Sequence, residues 1–211
     1  MNILAINTAF NNSYVALGVN EKSYVKTVDS SLKQSENILG IISDVLNDAN
    51  LKVSDLNALA CVIGPGSFTG IRIGVGICKG FCVAFKNIKK IDINSLDLLA
   101  YTHSKKANND FYVVLNALSG NLFVCKYSKD GKRLCEPYLL SDNTNFDHEV
   151  VGLKSEDLGM CNVFYELSSN ILLEYAKNKC DNEIFVDNFL PLYLRKSQAE
   201  AELDKKSNNQ T

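Results

Sequence analysis

Hydrophobic positions along the chain fall into a few short blocks whose spacing changes from two to three-and-a-half as the sequence proceeds. Asn2 to Ile6, Tyr14 to Val19 and Tyr24 to Val28 are short, rich in β-branched and aromatic residues, and divided by the polar turns NTAFNNS and NEKS. That pattern predicts three strands in an antiparallel meander. From Ser35 to Asn50 the period becomes helical: Ile38, Ile42, Val45, Leu46 and Ala49 lie within about 100° of one another, while Asp44, Asn47 and Asp48 point elsewhere. Ala58 to Ile63 reads as a buried strand, Phe68 to Lys86 as a second helix, Ile88 to Ile93 as a strand, and Ser95 to His103 as a short helix capped by Ser95. The order β-β-β-α-β-α-β-α implies a mixed sheet of the α/β class.

The polar segment Lys105 to Asp110 has no periodicity and marks a lobe boundary, giving one unit over residues 1–104 and a second over 105–211. In the second unit Phe111 to Asn116 and Asn121 to Tyr127 read as strands around a short turn, followed by a turn at Lys129 to Lys132, a strand near Leu134 to Leu140, and a helix from about Val163 to Asn178. FLPLYLRK is irregular, and from about residue 197 the chain is a polar tail expected to fray. The β-turn-β theme in both halves is the mark of two related lobes.

Gly64 to Gly80, GPGSFTGIRIGVGICKG, holds six of the twelve glycines, although each interior helical glycine costs about 1 kcal/mol relative to alanine. At helical spacing Gly70, Gly74, Ile77 and Phe81 share one narrow stripe, Gly76 and Gly80 a second, and Arg72 and Lys79 face away from the first. Bare positions four apart let another backbone come close, a geometry best known between membrane helices. The neighbour is either a partner protein or the chain's own sheet or its Ser35 to Asn50 helix. Ser67, just ahead of the helix, is placed to cap it.

Composition narrows the chemistry. With 22 basic and 24 acidic residues, the chain has no electrostatic footprint for gripping nucleic acid alone. Seven cysteines, odd in number and without a C-x-x-C pair, read as thiols in a reducing compartment. The start lacks a basic and apolar leader pattern and no run approaches the roughly 18 apolar residues of a membrane span, so a cytoplasmic, membrane-free protein is expected.

Gly64-x-Gly66-x-x-x-Gly70 between strand and helix, with Asp92 further on, is one form of a dinucleotide-binding turn. Pro65 removes an N–H from it, and the strand before it is the fourth rather than the first. No Gly-Lys-Ser/Thr follows for a Walker loop. The two histidines, His103 and His148, lack metalloprotease spacing; His103 is placed to meet a helix dipole and His148 to be solvated. Cys78 and Cys82 read as small core residues. A nucleotide-dependent enzyme, either a dinucleotide-binding oxidoreductase or an actin-like kinase, stands as the alternative to a binding scaffold.

GPGSFTGIRIGVGICKG, together with NILAINTA, KQSENILGIISDVL and FLPLYLRK in the same order, resembles the bacterial TsaB (YeaZ) family of tRNA threonylcarbamoyladenosine biosynthesis proteins. The resemblance implies an actin-like, ribonuclease-H-like fold of two lobes. It implies a non-catalytic partner of a TsaD-type transferase paralogue, acting with a TsaE-type ATPase. The complex would transfer threonylcarbamoyl to N6 of adenosine 37 in tRNAs reading codons that start with A, and this chain would meet tRNA only through it. The first two helices would form the interface, with Ile38, Ile42, Val45, Ala49, Phe68, Gly70, Arg72, Gly74, Ile77 and Phe81 contributing, and a homodimer would form through them when the paralogue is absent. Actin-like ATPases place aspartates at two phosphate-binding turns; the matching positions are Asn7, followed by Thr8, and Asn116, which implies a retired nucleotide site. No cofactor is then expected on this chain alone, and ATP or ADP with Mg would belong to the assembled complex. Gln34 stands where many relatives carry histidine.

Overall fold

The computed structural model describes residues 1–28, 34–118, 120–141, 144–156 and 158–195; the tail from residue 197 and the side chain of Gln34 lie outside them. The meander forms as its pattern predicts: β1 (Asn2–Asn7), β2 (Ser13–Val19) and β3 (Lys22–Val28) pair antiparallel. Helix α1 (Gln34–Asp48) then carries the chain over to β4 (Ala58–Gly64), which lies parallel to β1. Helix α2 (Phe68–Ala84) leads to β5 (Lys89–Asn94), parallel to β4. The sheet order is β3-β2-β1-β4-β5.

The second sheet repeats the plan. β6 (Phe111–Leu118), β7 (Asn121–Tyr127) and β8 (Tyr138–Ser141) form an antiparallel meander, and β9 (Glu149–Leu153) and β10 (Val163–Tyr165) add in parallel beyond β6. Its order, β10-β9-β6-β7-β8, is that of the first sheet shifted by five strands. The α/β two-lobe architecture expected from the sequence is therefore present, with each sheet turning from antiparallel to parallel at its central strand.

Helices α1 and α2 lie side by side on one face of the first sheet. α3 (Ser95–Ser104) and α4 (Ser169–Asp181) cover the other. Burial on both faces explains why β1 and β4 are continuously apolar rather than alternating. α4 belongs by sequence to the second unit, yet packs on β1 and β2, so the chain crosses back over the 104/105 boundary. Gly18 accommodates it, because a Cβ there would meet Lys177 Cε at 2.8 Å.

Three local expectations change. Asn94, not Ser95, caps α3, its side chain accepting the amides of Leu96 at 2.8 Å and Asp97 at 3.4 Å. The helix predicted from Val163 splits: residues 163–165 pair with β9, and α4 starts after Ser168, whose hydroxyl caps Ile171 N at 3.4 Å. β9 was not predicted, since its pairing with β6 joins residues far apart in sequence.

α3 sits between the sheets and is clamped to the second one at both ends. At its start, Asp97 accepts Tyr127 Oη at 2.7 Å and a two-pronged contact from Arg133 at 2.7 and 2.6 Å. At its end, His103 stands in the last turn, where a dipole partner was expected, and is buried; its Nε2 lies 2.7 Å from Glu149 Oε2 and its Nδ1 3.1 Å from the Tyr165 hydroxyl. Burial lowers the His103 pKa from 6.5, with Lys106 adding to the effect and Glu149 opposing it. The unfolded state then binds the proton more tightly, so this stability is present above the ordinary histidine pKa and lost as pH falls below it. Stability to urea is expected to weaken as pH falls below about 6.5, by up to about 1.4 kcal/mol per pH unit more in the wild type than in His103→Gln. Equal slopes in the two proteins would show that His103 does not titrate this way.

Candidate functional site

The glycine-rich helix has two faces, and they do different work. Its loop leaves β4 through Gly64, whose φ of +117° is open to glycine and whose Cβ would strike Leu192 O at 2.7 Å. Ser67 caps the helix, as its position predicts, accepting Gly70 N at 3.2 Å. On the inner face a Cβ at Gly70 would stand 1.8 Å from Thr8 O and one at Gly74 2.5 Å from Thr8 Oγ1. Thr8 Oγ1 in turn donates to Gly70 O at 2.6 Å. The close neighbour of this stripe is thus the chain's own first turn.

That corrects the expected interface. Gly70 and Gly74 are sealed against β1 and β4, and Ile38, Ile42 and Val45 are no more than 2% exposed beneath α1, because the apolar stripe of each helix faces its own sheet. None of these five can meet a partner. Ala49, Ile77 and Phe81 are half-buried at the edge of the core. Phe68 stacks on Tyr193 with centroids 4.3 Å apart, and Arg72 lies 4.0 Å over the Phe68 ring while its Nε donates to Tyr193 Oη at 3.0 Å. This pair therefore holds the returning FLPLYLRK segment.

The outer face of the two helices is bare. A Cβ at Gly40 of α1, or at Gly76 or Gly80 of α2, would meet nothing within 4 Å. Beside them Leu39 is 55% and Val83 76% exposed. The second glycine stripe was visible in the sequence; Gly40 and Leu39 were not singled out, although Gly40 falls opposite the Ile38 to Val45 stripe and Leu39 falls at its margin.

Between the sheets lies a cleft of about 720 Å³ where the strand order of each turns around. Asn7 and Asn116 occupy equivalent turns at the ends of β1 and β6. Asn7 Oδ1 accepts Ala9 N at 3.0 Å and its Nδ2 donates to Asn12 O at 3.3 Å. Asn116 Oδ1 accepts Leu118 N at 2.7 Å. Each amide closes its own turn, and neither supplies the negative charge that a metal–phosphate pair needs. Arg195 reaches the same cleft and donates to Ala117 O, fastening the last described residue to β6.

Glu156 is the cleft residue that sequence reasoning missed. It accepts the Asn116 amide at 2.7 Å across forty residues of chain, a contact with no local signal. Burial raises the pKa of its carboxyl, opposed by that backbone N–H. Among the described residues no group of three or more His, Cys, Asp or Glu side chains could hold a metal ion, and no helix is long and apolar enough to cross a membrane. His148 is paired with Asp147, Nδ1 to Oδ1 at 2.8 Å, rather than free in solvent. Cys78 is fully buried, as expected for a core thiol, while Cys82 is half-buried.

Comparison with known proteins places the chain. Residues 28–143 match the family model TsaD: tRNA N6-adenosine threonylcarbamoyltransferase. A protein from Escherichia coli named tRNA threonylcarbamoyladenosine biosynthesis protein TsaB is 30% identical over 131 residues, 62% of this chain and 56% of that protein. The same-named protein of Buchnera aphidicola from Schizaphis graminum is 32% identical over 133 residues, covering 63% of each. The chain thus spans about six-tenths of the length of these relatives. A solved structure named YeaZ from Pseudomonas aeruginosa superposes with a TM-score of 0.76 at 20% identity, covering 92% of this chain and 99% of the other, which shows a shared fold.

Proposed function

The chain belongs to the family described as TsaD, tRNA N6-adenosine threonylcarbamoyltransferase, with relatives named TsaB, and from that premise we propose that it is a subunit of tRNA threonylcarbamoyladenosine biosynthesis that docks a TsaD-type transferase. The observation that carries this reading is the bare outer face of α1 and α2. Gly40, Gly76 and Gly80 leave backbone open beside exposed Leu39 and Val83, and a helix that spends interior glycines away from its own core gains nothing from them in the isolated chain. A partner helix laid there comes to backbone distance and covers the apolar rim. In its absence a second copy of this chain takes the same face.

On this reading the subunit is not itself the catalyst. Asn7 and Asn116, both neutral and both closing their own turns, support that assignment. The transfer to N6 of adenosine 37 belongs to the transferase subunit, nucleotide and magnesium to the assembled complex with a TsaE-type ATPase, and tRNA contact to the whole. Reconstitution tests it. The isolated chain is expected to turn over no Mg-ATP and to modify no tRNA, whereas adding it to the transferase, the ATPase, tRNA and the threonylcarbamoyl adenylate restores modification. ATP turnover by this chain alone, or modification that proceeds equally without it, would overturn the proposal.

A further inference from the structure

Two pairs of thiols touch in this molecule, and only one of them can be reached from solvent. Cys61 and Cys78 are hydrogen-bond partners sealed between β4 and α2, both with no exposure. Cys125 of β7 and Cys135, on the chain returning toward β8, are the other pair: the Cys125 thiol donates to the Cys135 carbonyl, and Cys125 is buried while Cys135 is half-buried.

The local backbone brings them together. β7 runs into the turn at Lys129 to Lys132, and the returning chain forms an antiparallel bridge at Tyr127 and Arg133, with Leu134 N donating to Lys126 O at 2.8 Å. Just beyond it Cys135 sits in the bend between that bridge and the Val124–Tyr138 pair, beside Cys125. There Lys126 N donates to Cys135 Sγ at 3.3 Å, and Cys125 Sγ donates to Cys135 O at 3.2 Å. These two contacts put the cysteines on adjacent chains, whose spacing of about 5 Å is inside the span a disulfide can bridge.

We propose that Cys135 and Cys125 form a reversible redox site, in which hydrogen peroxide oxidises Cys135 and Cys125 resolves it to a cross-strand disulfide. Cys135 is the first to react because it alone of the two meets solvent, with its sulfur held in place by the Lys126 N–H. Burial pushes the Cys125 thiol up to about 12, which keeps it protonated and makes it the resolving partner. In the first step the Cys135 thiolate attacks one peroxide oxygen, the O–O bond breaks, and a proton completes water, leaving Cys135 sulfenic acid. In the second, Cys125 sulfur displaces the sulfenic hydroxyl and its proton leaves with that group as a second water. The two thiols lose two electrons and two protons to the peroxide; a dithiol reductant returns them.

The site has a structural neighbour of consequence. Arg133, two residues from Cys135, holds Asp97 at the start of α3, so the disulfide staples the strand that clamps the second sheet to that helix.

The test is peptide mapping of the full folded chain after brief treatment with hydrogen peroxide. The expected product is a Cys125–Cys135 crosslink reversed by dithiothreitol, formed at least about tenfold faster than any oxidation of Cys61 or Cys78. Cys125→Ser should stop at a sulfenic acid on Cys135, trapped by dimedone, and Cys135→Ser should leave Cys125 a free thiol. The wild-type map stands even if a variant fails to fold. Cys135 remaining a thiol while Cys82 or Cys161 is oxidised, or Cys135 crosslinked to another cysteine, would overturn the assignment.

Discussion

Gly70→Ala is expected to destabilise the chain by about 3 kcal/mol or more, enough to leave little folded protein. The added methyl would stand 1.8 Å from the carbonyl oxygen of Thr8 and 2.9 Å from its carbon, and neither is the tip of a flexible side chain that could swing aside. Making room means moving α2 off β1, and with it the Ser67 cap and the Thr8 to Gly70 hydrogen bond. Gly76→Ala, six residues along the same helix, is the matched control. Nothing lies within 4 Å of its Cβ, so alanine should raise stability by up to about 1 kcal/mol through helix propensity. Urea unfolding midpoints of the two variants check both statements. A Gly70→Ala protein as stable as the wild type would contradict the inner packing.

The second large effect is on binding. Gly76→Leu with Gly80→Leu puts two side chains on the open face while leaving the buried side of α2 untouched. The double variant is expected to keep its circular dichroism and unfolding midpoint but to bind the TsaD-type transferase at least about 100-fold more weakly, because close backbone approach is lost at the centre of the contact. Leu39→Glu on α1 should act in the same direction by placing a charge among the apolar groups. Calorimetric titration separates these losses from misfolding. Undiminished affinity in the folded double variant would remove the docking face.

Much of this architecture was legible because its cues are local. The meander shows in β-branched runs split by polar turns, and α1 shows in Ile38, Ile42, Val45 and Leu46, all buried as their spacing requires. What misled was the use of the same signal for two purposes. A small-residue stripe says that something comes close but not what, and Gly70 and Gly74 met Thr8 while Gly76 and Gly80 met nothing. Only the roll of α2 on β4 decides between the stripes, and that is set by tertiary contacts. β9, β10 and Glu156 stayed hidden for a related reason: a strand of three to five residues carries too little pattern, and the Asn116 to Glu156 contact is made by folding alone. His103 stands at the helix end as its position implied, but its partners Glu149 and Tyr165 come from the second sheet and had no local signal.

Hydrogen–deuterium exchange of the chain with and without the transferase subunit reads the docking face directly. Slowed exchange confined to the outer helices, over residues 39–43 of α1 and 73–84 of α2, is the predicted footprint. Protection that instead falls on the β8 edge or the interlobe cleft, with both helices unchanged, would contradict it.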